Sequence, residues 1–149
     1  MKIFFCVLMI TFLLSCSVKK FTNENLAFEL RLAETEPDIN LKEMVFYNTD
    51  QKYFVYDSVY LTNSDITSTE VIDLQTQPKV QVTLNEAGRK KFADFTGENV
   101  GKNAAMIVDG KLISAPRINA QITKGLLLIV GYFDQEEAQK MATGILPEN

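Results

Sequence analysis

Both cysteines of the 149-residue chain, Cys6 and Cys16, fall within its first sixteen residues, so everything downstream must fold without a disulfide or a thiolate metal site. Apolar burial has to hold the body together. With 46% apolar residues the chain has enough material for one domain with a real core. Histidine is absent altogether, which excludes Ser-His-Asp and Cys-His catalysis, histidine metal ligands and a histidine pH switch. The 15 basic and 19 acidic side chains leave a net charge of −4, with the basic residues scattered along the chain. That distribution gives no electrostatic footprint for nucleic acid. Neither a metal nor a cofactor is expected.

The N-terminus reads as an address. Lys2 is followed by an apolar run over residues 3–14, the length of a signal-peptide core and short of the roughly 20 residues that span a bilayer. Its end, Leu13-Leu14-Ser15-Cys16, resembles the bacterial lipobox, in which a small residue precedes a cysteine that is acylated and becomes the mature N-terminus. The resemblance implies lipidation of Cys16, a signal peptide over residues 1–15, a polar tether over 16–25 and one domain over 26–149. Such a protein is held to the membrane by its acyl chains without crossing it. It belongs to the cell envelope, outside the cytoplasmic membrane, and Ser17 after the cysteine is compatible with an outer membrane.

Downstream, alternation predicts strands. Leu26, Phe28, Leu30 and Leu32 alternate with Ala27, Glu29, Arg31 and Ala33. Further strands are expected around residues 44–47, 53–61, 66–74 and 80–84. Asn85 suits a helix N-cap, with Phe92 and Phe95 as apolar anchors and Gly97 as the C-terminal stop. Asp109-Gly110, between apolar runs at 104–108 and 111–114, has the chemistry of a type I′ hairpin turn. Two more strands are expected at 118–122 and 126–130, around Lys124-Gly125. Asp134 and Glu137 form a capping box, and Ala138, Met141, Ala142 and Ile145 make one apolar stripe ended by Leu146-Pro147. The sum is an α+β fold, an antiparallel or mixed sheet with two helices packed on one face.

Chemistry-bearing motifs are few. Gly97 to Asn103 superficially resembles a phosphate-binding loop, but its glycine spacing is one residue short, Asn103 replaces the magnesium-ligating hydroxyl, and it follows a helix rather than a strand. Asp94, Glu98, Asp109, Asp134, Glu136 and Glu137 are the carboxylates available for acid–base work, yet each has a cap, turn or helix-face role to hand. Four of the five tyrosines lie between residues 47 and 60; they offer a stacking surface, or simply the aromatics that strands carry.

A longer pattern stands out as a unit: Thr96, Asn99, Gly101-Lys102, Ala105, Asp109-Gly110, Ser114-Ala115-Pro116, Ile122, Gly125, Gly131, Phe133 and Glu137-Ala138. It resembles the head subdomain of the large first periplasmic domain of SecD and SecDF, membrane proteins that assist Sec-dependent export, over roughly residues 54–147. Physically these are turn, cap and packing positions, with Gly101, Gly125 and Gly131 for tight backbone, Asp109-Gly110 for a hairpin and Pro116 for a stiff exit. The resemblance implies a non-catalytic module that contacts unfolded exported polypeptides or components of the Sec translocon. It carries over no energy transduction, because the transmembrane bundle and its charged residues have no counterpart in this sequence. An exposed strand edge and the loop holding Thr96, Asn99 and Lys102 are the expected polypeptide contacts. The competing reading is a structural lipoprotein that reuses the fold for an unrelated envelope partner.

Overall fold

In the computed structural model, which describes residues 25–73 and 77–147, the turn at Asp109-Gly110 sets the pattern for the second half. Both residues have positive φ, 49° and 74°, as a type I′ turn requires, and they join β6 (Asn103–Val108) to β7 (Lys111–Ser114). A Cβ on Gly110 would meet nothing within 4 Å, so the cost of a substitution there is purely conformational. Gly110→Val is expected to lower stability by about 1–3 kcal/mol, read as a shifted urea midpoint at unchanged slope.

Five strands, β1 (Phe28–Glu34), β2 (Lys42–Val45), β3 (Lys52–Thr62), β6 and β7, form a sheet in the order β2-β3-β1-β6-β7. Each of these pairings is antiparallel. Register shifts in β1 against β3 and in β6 against β7 mark bulges that add twist. The sheet curls until its two edges meet: Phe46 bridges Leu112, and the Tyr47 amide donates to the Leu112 carbonyl at 2.8 Å. Inside the curl lies a small core of Ala33, Tyr53, Val55, Ala105, Ile107 and Leu112.

A second sheet, β4 (Ile66–Asp73), β5 (Pro78–Leu84) and β8 (Leu126–Ile129), runs in the order β4-β5-β8 and is also antiparallel. The main core fills the space between this sheet, the outer face of the first and the two helices, and includes Phe28, Leu30, Val82, Phe92, Phe95 and Ile129. Helix α1 (Glu86–Glu98) starts where expected, the Asn85 side chain accepting from the Gly88 amide at 2.9 Å. Helix α2 (Gln135–Gly144) carries the predicted capping box between Asp134 and Glu137, and its stripe of Ala138, Met141, Ala142 and Ile145 is buried. The architecture is α+β, as expected.

Three local expectations are corrected. The single sheet is two sheets, a division set by long-range pairing that no local pattern encodes. Gly97 does not stop α1, which runs on to Glu98 with Asn99 at its C-cap. Residues 118–122 are not a strand: the Ile118 amide donates to the Lys102 carbonyl and the Ile122 amide to the Thr96 hydroxyl, at 2.8 and 2.9 Å, so the segment is pinned to α1 and the loop after it instead of to a ladder. The signal peptide expected over 1–15, Cys16 and nearly all of the tether lie outside the described residues.

Candidate functional site

Among the described residues strand β8 is an open edge of its sheet, and its pairing dictates which backbone groups are free of the ladder. The Leu84 amide donates to the Gly125 carbonyl at 2.9 Å, and the register continues through Val82↔Leu127 and Val80↔Ile129. Because hydrogen-bonded pairs alternate in an antiparallel ladder, residues 125, 127 and 129 face β5, whereas Leu126 and Leu128 direct their N–H and C=O groups outward. The next outward amide, that of Val130, donates to the Ser114 hydroxyl at 3.2 Å, which closes the edge at that end. Leu126 and Leu128 find no such partner among the described residues.

Side chains reinforce this openness. Leu127 and Ile129 point into the core, while Leu126 and Leu128 remain 41% and 43% exposed, with Val130 and Tyr132 continuing the apolar row. A groove of about 320 Å³ runs along the edge. Its far wall is built from Phe92 and Thr96 of α1, Ala104 and Met106 of β6, and the segment from Pro116 through Ile122. The opposite edge of the same sheet, β4, shows solvent Thr67, Ser68 and Glu70 instead, the polar dressing that discourages pairing. An apolar edge left bare beside an apolar groove is unusual enough to mark a contact surface.

The residues expected to touch polypeptide have other employment. Thr96 is completely buried; its hydroxyl donates to the Phe92 carbonyl at 2.8 Å and accepts from the Ile122 amide. It shapes the groove wall from within and offers nothing to a ligand. Asn99 donates to the Phe95 carbonyl at 2.8 Å, closing the helix end. Lys102 pairs with Glu34 at 3.1 Å and lies 5.4 Å from the Tyr56 ring centroid, and its hydrogen bond to Glu34 holds its pKa above the ordinary value. These three side chains do not converge. The tyrosines are also structural: Tyr60 packs on Phe95 at 4.6 Å, Tyr53 lies near Phe46, and Tyr47 donates to Glu137 at 2.7 Å. Burial and the adjoining Glu137 push the Tyr47 phenol up to about 12.

Glycines of the pattern shape the backbone. Gly101 and Gly125 have positive φ, and a Cβ on Gly131 would run into the Ile113 carbonyl oxygen. Pro116 lies in the groove wall, and Phe133 is buried in the main core. The sequence did not single out Leu126, Leu128 and Val130, the exposed apolar residues of this edge, though a signal existed: residues 126–130 are apolar throughout, with none of the polar alternation that a strand facing water on one side carries.

Among the described residues no three His, Cys, Asp or Glu side chains are placed to hold a metal ion, and no helix is long and apolar enough to cross a membrane. Of the six carboxylates available for acid–base work, four are engaged in structure: Asp94 with Lys90, Glu136 with Lys140, and Asp134 with Glu137 in the cap. What the fold and the site define is an α+β domain presenting a strand edge and an apolar groove.

Comparison with known proteins makes the class specific. Residues 41–146 match the family model described as SecDF, P1 head subdomain, and the chain belongs to that family. The match begins further upstream than residue 54. The chain is 46% identical over 92 residues to the protein translocase subunit SecD of Dictyoglomus turgidum, covering 58% of this chain and 23% of that protein. With the protein translocase subunit SecDF of Thermus thermophilus it shares 37% over 92 residues, 58% of this chain and 12% of that one. A solved structure of SecDF, described as a membrane component that enhances protein export, superposes with a TM-score of 0.65 at 22% identity, covering 81% of this chain and 62% of that one. The chain thus spans about a quarter or less of the length of the SecD and SecDF sequences from Dictyoglomus turgidum and Thermus thermophilus, and the structural likeness is one of fold.

Proposed function

We propose that this domain is a non-catalytic accessory module of protein export, which holds extended apolar segments of exported polypeptides on the open edge of β8. The observation that carries the reading is the coincidence of free backbone groups at Leu126 and Leu128 with the apolar groove beside them. An unfolded chain presents backbone hydrogen-bonding groups and apolar side chains together, and strand addition uses both. Its backbone would pair with the edge while every second side chain enters the groove. Binding has to be weak for the segment to be released, at a Kd of about micromolar or weaker. Membership of the SecDF P1 head family supports an export setting, with Sec translocon components as neighbours and a place in the cell envelope on the outer side of the cytoplasmic membrane.

The anchoring reading rests on the sequence alone, on the lipobox-like Leu13-Leu14-Ser15-Cys16. Cys16, acylated after removal of residues 1–15, would tether the domain to a membrane. Cys16→Ser is expected to move the protein from the membrane to the soluble fraction or to leave it unprocessed, and mass spectrometry of the mature chain checks this directly; an unmodified N-terminus at another residue overturns it. The binding reading is tested by titrating the domain from Ser17 onward with an unfolded secreted protein while amide shifts are recorded by NMR. Saturating shifts centred on residues 122–130 are expected. Absence of any shift at high concentration would contradict it.

A further inference from the structure

Charge is distributed unevenly around the groove in a chain whose overall balance is acidic. Arg117 lines the groove itself, and at the Gly125 end the wall continues through Thr123 and Lys124 into two depressions that share Arg89, one of which also includes Lys90. Arg89 lies so close to Gly125 that a Cβ there would come within 2.9 Å of its Cγ. Glu86 is the single carboxylate lining any of the three. Lys90 is neutralised by Asp94 at 2.8 Å, but Arg89, Arg117 and Lys124 have no carboxylate within ion-pair distance among the described residues. Cations unpaired among the described residues therefore stand on the groove wall, Arg117, and at the Gly125 end of β8, Arg89 with Lys124.

Resting on the reading that β8 takes up a strand, we infer that the segment it selects is an apolar, β-prone stretch flanked by aspartate or glutamate, and that stretches flanked by lysine or arginine are disfavoured. Both requirements have a physical source. The two outward-facing residues of β8 supply few hydrogen bonds and the groove supplies apolar contact, neither of which discriminates one β-prone stretch from another. The flanking charges do discriminate, because a carboxylate beside Arg89 or Lys124 gains attraction where a lysine meets repulsion. Arginine adds geometry, since its guanidinium can take a carboxylate in two parallel hydrogen bonds. The groove is concave and ends in a strand edge, which suits an extended chain better than the plane of a bilayer.

Two fluorescent peptides test this, sharing one alternating Val-Thr centre and carrying either paired aspartates or paired lysines at both ends. The acid-flanked peptide is expected to bind about five-fold or more tightly at low ionic strength, the gap closing as salt screens the exposed charges. Lys124→Glu should shrink the preference, and Arg89→Glu with Lys124→Glu should abolish or invert it; Lys124 is exposed, so the single variant keeps the test valid if the double one folds poorly. Equal binding of both peptides overturns the charge selection and leaves strand capture standing. Binding of neither overturns both, as does dimerisation through β8 that excludes peptide. Co-sedimentation with anionic vesicles while peptides fail to bind would assign the surface to lipid.

Discussion

Phe95→Ala is expected to destabilise the domain by about 3–5 kcal/mol, the cost of deleting a buried aromatic ring and leaving its cavity. Phe95 is 1% exposed, and its ring lies 4.6 Å from that of Tyr60, a contact that joins α1 to β3. Helix and sheet meet mainly through such side chains. The loss is a large part of the 5–15 kcal/mol that holds a typical domain together, so the variant should unfold at a much lower urea midpoint and lose the near-ultraviolet signal of its packed tyrosines early. A midpoint within experimental error of the unaltered protein would mean that α1 does not dock through this face.

The second large effect separates folding from binding with two prolines one residue apart. Leu127 faces β5, pairing with Val82, and its side chain is buried; Leu127→Pro removes a ladder hydrogen bond in the sheet and should cost about 3 kcal/mol or more. Leu128 turns its amide outward, so Leu128→Pro spares the ladder to β5. Its stability should change little. Its affinity for an extended polypeptide should nonetheless fall about tenfold or more, because the edge loses a donor and the ring blocks the approach of a partner strand. Circular dichroism melts and fluorescence titration of the same two proteins give both readouts. If Leu128→Pro bound polypeptide as well as the unaltered domain, strand addition at β8 would be wrong.

The fold was legible wherever a few neighbouring residues decide the outcome. Asn85, Asp134 with Glu137, and Asp109-Gly110 satisfy their own backbone groups or set their own dihedrals, and each stands where the sequence places it. Gly97 misled because a glycine stops a helix only when the chain needs positive φ there; that need arises at Gly101, after Asn99 has already capped Phe95. Residues 118–122 have strand-like composition, but their amides were claimed by Thr96 and Lys102, partners distant in sequence. The division into two sheets was illegible for the same reason.

The site followed a similar rule. A strand edge was expected as a contact surface, yet polarity drew attention to Thr96, Asn99 and Lys102, which hold a groove wall, a helix end and an ion pair with Glu34 within the fold. The bare apolar residues Leu126 and Leu128 became visible only once β8 was seen to have one neighbour, since a strand flanked on both sides would carry the same sequence.

Amide hydrogen exchange at β8 tests strand capture most directly. In the free domain the Leu127 and Ile129 amides, paired to β5, should exchange slowly, and those of Leu126 and Leu128 quickly. Saturation with an unfolded secreted polypeptide should slow Leu126 and Leu128 selectively while their paired neighbours change little. Polypeptide that binds without protecting either outward amide, or protects amides elsewhere instead, would contradict capture at this edge.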